Sequence, residues 1–316
     1  MANKTNKIRI GVDLGGTNLV AGIVNDNREI THKASIPTKI GEPYQVIIKD
    51  MAELVKKLVE DAGYQISDIE SVGIGSPGAI DNKNGVVITA SNLKFENAPV
   101  VEEFKKYINV PVDLENDANA AAYGEYKKTG DNCESFVMVT LGTGVGGGIV
   151  INGKIYRGFN GIGGEIGHVL LKQGGIPCPC GRTGCWEAYA SATALIKQTK
   201  EAIKNHPESI MAKAEKVNGV TAFEAEKLGD KTAKEVVENY ISYVSEGIID
   251  IITLLQPNKI LIGGGISNEG ENLLNKINAY ISSHLETYGV PQPEISIATL
   301  RNDAGIIGAA FAASDM

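Results

Sequence analysis

The chain opens on short apolar runs broken by single polar residues: IRIGVDL (8–14), NLVAGIVN (18–25) and EITHKASI (29–36). Each reads as a strand, and the connections between them are too short for a helix, which predicts a β-meander. Over 43–63, PYQVIIKDMAELVKKLVEDAG, the apolar spacing becomes that of an amphipathic helix stopped by glycine. SVGIGSPG (71–78) reads as a buried strand, AIDNKNGVV as a loop, VVEEFKKYI as a short helix, PVDLEND as a strand end and DANAAAYGEYKK (117–128) as a helix. The pattern then starts again. SFVMVTLGTGVGGGIVINGKIY (135–156) reads as two strands about a glycine-rich turn, followed by a tight hairpin at Asn152-Gly153. Helical spacing returns in WEAYASATALIKQTKEAIKN and over 231–256. KILIGGGIS (259–267) is a buried strand ending in glycines, and a helix, a strand and the small-residue helix AGIIGAAFAAS follow. The order ββ(β)αβα, read twice, predicts an α/β protein with two sheets.

Two stretches strengthen that duplication. GTNLVAGIV (16–24) and GTGVGGGIV (142–150) share Gly-Thr and a later Gly-Ile-Val, and each lies between apolar strands. One such turn per lobe points to a repeated architecture with a cleft between the lobes. A length of 316 residues suits two lobes better than one core.

Composition narrows the function classes. Hydrophobic residues make up 43% and charged residues 22%, the balance of a globular protein. A net charge of −8 argues against non-specific nucleic-acid binding, which needs basic faces. No apolar run approaches the roughly 18–20 residues of a membrane span. MANKTNKIRIGVDLG has no apolar leader pattern, so a cytoplasmic location is expected, where thiols stay reduced.

Several motifs carry candidate chemistry. GTGVGG (142–147) and GIGSPG (73–78) spell G-x-G-x-x-G, but neither is followed by a helix, so neither fits a dinucleotide fingerprint. A turn such as DLGGTN (13–18) can still hold phosphate through converging N–H groups, with Asp13 able to reach Mg²⁺ or its waters. In LENDANAAAYGE (114–125), Asn116 or Asp117 is either a helix cap or a general base at a strand end. In GEIGH (164–168), Glu165 and His168 would share one helical face. Of the four cysteines, Cys178, Cys180 and Cys185 crowd into PCPCGRTGCWE. With His168 they make the ligand set of a tetrahedral structural zinc. Cys133 is expected to be a small buried hydrophobe.

Together DLGGTN, GIGSPG, ENDANAAA (115–122), LGTGVGGG (141–148), GEIGH, CPCGRTGCWE (178–187) and GGGIS (263–267) resemble the ROK family of sugar kinases and repressors, in order and almost end to end. The resemblance implies the actin-like ATPase (ribonuclease H-like) fold, two α/β lobes closing on ATP and sugar. It implies a small lobe of 1–116 joined by the C-terminal helix 303–316, and a large lobe of 117–302 carrying the zinc loop. Asp117 matches the family's catalytic base. Asn116, Glu165, His168 and Glu187 match sugar-hydroxyl ligands; Ser76, Pro77 and Gly78 fall in the loop lining the sugar, and Asn92 is a further expected contact. Asp13, Gly15, Gly16, Thr17 and Asn18 match the first phosphate loop, Gly142, Thr143 and Gly144 the second, and Gly263, Gly264 and Gly265 the adenosine site.

The activity this implies is phosphorylation of glucose at its 6-hydroxyl, with ATP, Mg²⁺ and a structural Zn²⁺, in a homodimer or homotetramer. Fructose, mannose, N-acetylmannosamine, N-acetylglucosamine or a β-glucoside could replace glucose, and polyphosphate could replace ATP. A sugar-responsive repressor of the same family would need a helix-turn-helix ahead of the first strand, where only MANKTNK stands.

Overall fold

A computed structural model describes residues 7–130, 133–286 and 288–314. The elements are, in chain order, β1 (Ile8–Leu14), β2 (Asn18–Val24), β3 (Ile30–Pro37), α1 (Tyr44–Asp61), β4 (Ile69–Ser76), β5 (Ala79–Asp81), β6 (Val86–Ala90), β7 (Phe95–Ala98), α2 (Val100–Lys105), β8 (Val112–Asn116), α3 (Asp117–Glu125), β9 (Ser135–Leu141), β10 (Val145–Ile151), β11 (Lys154–Ile155), α4 (Glu187–Ala190), α5 (Ala192–Asn205), α6 (Thr221–Lys227), α7 (Lys231–Leu255), β12 (Lys259–Gly263), α8 (Glu271–His284), β13 (Glu294–Ile297) and α9 (Ala304–Ser314).

The two five-stranded sheets have equivalent orders, β3-β2-β1-β4-β8 and β11-β10-β9-β12-β13. In the first, β1 and β3 run antiparallel to β2, while β4 and β8 join in parallel. In the second, β12 and β13 likewise join β9 in parallel. The Gly-Thr stretches at 16–24 and 142–150 occupy the same place in each sheet, the turn before its second strand and that strand itself.

The chain divides into two compact units, Met1–Asn132 with Gly148–Gly164 and Leu300–Met316, and Cys133–Gly147 with Glu165–Thr299. This division does not fall at 116/117. Helix α3 stays with the first unit because it packs along α9, which in turn lies on β1 and β4. Helix α9 is buried along nearly its whole length, in keeping with a helix that is apolar or small all round. Its backbone lies directly on the sheet. A β-carbon at Gly11 would sit 1.8 Å from the Ile306 carbonyl oxygen, and one at Gly73 would sit 1.8 Å from that of Ala309.

Four local readings change. The stretch read as a loop after residue 78 is a three-stranded antiparallel sheet, β5-β6-β7. Its strands have three to five residues, too few to show a period. The helix over 117–128 is α-helical only to Glu125 and continues as a π-helical turn, Tyr126–Gly130. The helical run from Trp186 breaks at Ser191, whose hydroxyl accepts from Ala194 N and starts α5. Cys133, expected to be buried, is half-buried ahead of β9.

The α9 contact gives a stability prediction. Gly73→Ala places a methyl where backbone stands and should cost about 2–3 kcal/mol, the scale of an overpacked core. Thermal denaturation followed by circular dichroism reads it directly. An unchanged melting temperature would show that α9 can lift off the sheet without cost.

Candidate active site and metal centre

In the first unit, the β1–β2 turn forms a cavity of about 660 Å³ lined by Asp13, Gly15, Gly16, Thr17 and Asn18, with Lys33, Ser35 and Asn302. Gly15 N donates to Asn18 O at 3.0 Å, which closes the turn. Thr38 braces it twice: its N–H donates to Thr17 O at 2.9 Å and its hydroxyl to Gly15 O at 2.7 Å. Asn92 is exposed beside Gly16.

Asp13 stands at the end of β1, with burial pushing its carboxyl up to about 6; the Asp117 charge adds to the shift and Lys33 opposes it. Lys33 is itself paired with Asp303.

The β8–α3 junction shows which of Asn116 and Asp117 caps the helix. Asn116 is the cap: its Oδ1 accepts from Ala118 N at 3.0 Å and Asn119 N at 3.1 Å. Asp117 is the first helical residue, and its Oδ1 accepts from Ala118 N at 2.9 Å. Burial raises its carboxyl above the usual range against those backbone bonds. Asn116 also donates from Nδ2 to Gly78 O at 3.2 Å, tying the junction to the Ser76–Gly78 loop. Within that loop Ser76 and Pro77 are buried and Gly78 is exposed. Ser76 spends its hydroxyl on Pro77 O at 3.3 Å, so only the exposed end of the expected sugar loop offers polar atoms to solvent.

Beneath the junction lies a second acidic pair. Glu115 accepts at Oε1 from Asn116 N at 2.9 Å and Asn119 Nδ2 at 3.1 Å, and its Oε2 meets Arg157 Nε at 2.6 Å. Burial pushes Asp113 up to about 6, Glu115 adds to it, and Arg157 opposes it.

In the second unit, the turn Gly142–Gly144 is held by Gly142 N donating to Gly144 O at 3.0 Å. Ala192 N bonds Gly142 O at 2.8 Å and the Thr193 hydroxyl bonds Thr143 O at 2.7 Å, so the start of α5 clamps the turn. Gly263–Gly265 lies against the strand that leads into it. Gly264 has φ +83, and a β-carbon there would come within 2.5 Å of Leu141 O. The two glycine motifs are therefore neighbours within this unit.

Glu165 is exposed, just ahead of a single 3-10 turn, Ile166–His168, which replaces the expected helical face. Glu187 begins α4. Its Oε2 accepts from Val145 N at 3.0 Å, and its Oε1 stands 3.8 Å from Cys178 Sγ.

His168, Cys178, Cys180 and Cys185 converge, with one ligand atom from each within 4.8 Å of the others. His168 Nδ1 is 3.7 Å from Cys178 Sγ, and Cys180 Sγ is 3.6 Å from Cys185 Sγ. A tetrahedral zinc with its usual bond lengths needs edges of about 3.6–3.8 Å, so the donor set fits that ion. The loop is pre-shaped by an isolated bridge between Pro177 and Thr183 and by Cys178 N donating to Arg182 O at 2.8 Å. Burial pushes the Cys178 thiol up to about 12 and raises Cys185, while the Arg182 N–H lowers Cys180.

The ROK family model matches residues 9–316. The chain belongs to the ROK family. This ROK chain is 38% identical over 309 residues to the glucokinase of Halalkalibacterium halodurans, covering 95% of the chain and 92% of that relative. It is 36% identical over 309 residues to the glucokinase of Thermotoga maritima, covering 95% of each. A solved ROK family glucokinase from Streptomyces griseus, in complex with glucose and AMPPNP, aligns with a TM-score of 0.80 at 32% identity, over 98% of this chain and all of that one. The fold of this ROK chain is the actin-like ATPase fold.

Lys33, Thr38, Asn302, Thr193, Glu115 and Arg157 are site-supporting residues that the motifs do not reveal. Asn302 lines the first cavity and the others reach partners from different segments, and no local spacing marks them. Glu115 alone sat inside a quoted motif, where its neighbours Asn116 and Asp117 drew the functional reading.

Asp13 gives a pH prediction. Its carboxyl titrates near 3.8 unfolded and near 6 folded, so the native state holds the extra proton between those values. The stability of the neutral form is full below about pH 4 and is lost as pH rises through 6. Asp13→Asn keeps a neutral side chain at all pH. Without nucleotide, it should be more stable than the parent chain at pH 7 by on the order of 2 kcal/mol, with the gain vanishing near pH 4. Urea melts at the two pH values test this, and a gain independent of pH would remove Asp13 as its source.

Proposed function

We propose that this chain is an ATP-dependent sugar kinase that transfers the γ-phosphoryl group of ATP to the 6-hydroxyl of glucose, giving glucose 6-phosphate and ADP. The observation that carries the reading is Asp117: Asn116 takes the capping role, and burial raises the carboxyl toward the range useful for a general base. The glucokinase relatives and the glucose and AMPPNP complex supply the substrate class.

In this reading Asp117 accepts the proton of the 6-hydroxyl as that oxygen attacks the γ-phosphorus, and the bond to the β-phosphate oxygen breaks. Asn116, Gly78 and Asn92 in the first unit and Glu165, His168 and Glu187 in the second are the groups offered to sugar hydroxyls. The turns at Asp13–Asn18 and Gly142–Gly144 offer backbone N–H groups to phosphates, and Gly263–Gly265 takes the adenosine. Phosphoryl transfer asks mainly for positioning and charge stabilisation, which two rigid turns provide. Asp13 would hold Mg²⁺ or its waters, and the ion would neutralise phosphate charge.

Zinc would be held by His168, Cys178, Cys180 and Cys185, with no ligand position left for water, and so would act structurally. His168 faces the thiols through Nδ1, which leaves Nε2 as a donor for a sugar hydroxyl. A cytoplasmic location belongs to the same reading, since it keeps those thiols reduced.

A coupled assay across glucose, fructose, mannose and the N-acetylhexosamines tests the activity; a chain that phosphorylates none of them refutes it. Asp117→Asn should lower kcat by about 10²–10⁴-fold with sugar binding retained. Near-normal kcat would leave Asp117 as a helix residue only. Elemental analysis should find one zinc per chain, and Cys180→Ser should lose zinc, melt earlier and raise the KM for sugar. A zinc-free chain with unchanged KM and melting would remove the metal from the proposal.

A further inference from the structure

A second cavity of about 570 Å³ lies in the first unit, lined by Tyr123, Lys127, Asn152, Lys154, Arg157 and Ala312 among others. It shares no residue with the Asp13–Asn18 cavity. Its charged lining is entirely cationic, in a chain whose net charge is −8. The three cations come from separate elements: Lys127 from the π-helical turn, Lys154 from β11 and Arg157 from the segment after it.

Arg157 is the informative member. Its Nε is taken by Glu115 at 2.6 Å, and its two terminal nitrogens meet no acceptor among the described residues. Lys154 is exposed and pairs with no carboxylate among them. A guanidinium fork with open terminal nitrogens and an ammonium on the same wall suit a tetrahedral oxyanion. Tyr123, Ile155 and Ala312 add an apolar side against which a carbon skeleton can lie.

We propose that this cavity binds a small phosphate-bearing anion, gripped by Lys127, Lys154 and the outer face of Arg157. The site is wired to the β8–α3 junction. The Glu115 carboxylate that holds Arg157 also holds Asn116 N and Asn119 Nδ2, one residue to either side of Asp117 and Ala118. An anion drawing on Arg157 competes with Glu115 for the guanidinium and so loads or relaxes the segment that carries Asp117. Coupling of this kind is reciprocal: sugar binding at that junction changes anion affinity by the same factor. The coupling, unlike the site, rests on the kinase reading above.

Calorimetry with inorganic phosphate on the full chain, without nucleotide or sugar, tests the site. The parent chain should bind phosphate, and Lys154→Glu should bind it about tenfold more weakly, since a charge-assisted contact becomes a repulsion. Lys127→Met, on a different element, should weaken it independently, while Lys231→Met, at an exposed lysine on α7 outside both cavities, should leave it unchanged. No binding by the parent chain, or equal binding by Lys154→Glu, overturns the site. Tighter binding of succinate than of phosphate overturns the ligand class. Glucose 6-phosphate binding more tightly than phosphate, and lost in the same variants, supports the site and names a sugar phosphate as its source. Equal affinity supports it with free phosphate as the source.

For the coupling, phosphate should change the kcat of the parent chain and not that of Lys154→Glu; an equal response in both overturns it. A chain that binds phosphate through Lys154 but phosphorylates no sugar keeps the site and refutes the kinase reading alone.

Discussion

Helix α9 lies with its backbone against β1 and β4, and the placement of the first unit's carboxylates depends on that contact. Glycine is needed at 11 and 73 because carbonyl oxygens of α9 occupy the space of a side chain. The same helix packs on α3, so one contact of α9 with β1, β4 and α3 fixes both the strand that carries Asp13 near its end and the helix beginning with Asp117. At the start of α9, a β-carbon on Gly305 would lie 3.6 Å from the Asp13 carboxyl carbon. That is ordinary van der Waals contact, so the start of α9 reaches the acid without crowding it. The close packing at Gly11 and Gly73 leaves no room for relaxation, and so it fixes distances as well as stability.

The electrostatic consequence follows from that packing. Asp117 begins α3 and accepts a backbone N–H there, which by itself would favour the ionised form. Burial acts in the other direction and wins at both Asp13 and Asp117. A helix-terminal charge interaction is worth about 0.3–1 kcal/mol, whereas desolvating a carboxylate costs several. Strained protonation of this kind is what a base poised near neutrality requires, and it lowers stability where it supports chemistry. Lys33 does not cancel it, because its ammonium is shared with Asp303.

Much of this was legible in the sequence. The apolar runs pointed to both main sheets, since strands such as β1 bury Ile8, Ile10, Val12 and Leu14 on one face. The Gly-Thr repeat marked the equivalent turns, and the three cysteines with His168 do converge. What stayed hidden was what local pattern cannot encode. The β5-β6-β7 sheet has strands too short to carry a period. The capping assignment at 116 and 117 depends on which side chain turns back onto the backbone, and both residue types can do so. The return of the C-terminal helix to the first unit was expected, but its packing on α3, which keeps α3 in that unit, is a contact between distant segments, and Arg157 reaches Glu115 across 42 residues.

The cysteine loop and the Gly142–Gly144 turn form one mechanical piece within the second unit, and the residue that joins them is Glu187. One carboxylate oxygen takes Val145 N, directly after the turn, and the other faces Cys178. A β-carbon at Gly144 would fall 2.2 Å from that carboxylate, so the turn has its glycine there to let the acid in. Behind Glu187, Trp186 is buried and donates from Nε1 to Tyr243 O at 2.8 Å on α7, with Gly247 leaving space for its ring. Cys185, next in line, pairs with Leu170 in an isolated bridge. Three consecutive residues thus point to three different anchors: the ligand cluster, the helical core and the glycine turn. A metal in that cluster would fix Cys185, and through Trp186 and Glu187 it would hold the turn in register with the core. In this geometry an ion in the cluster would act on the Gly142–Gly144 turn without touching it.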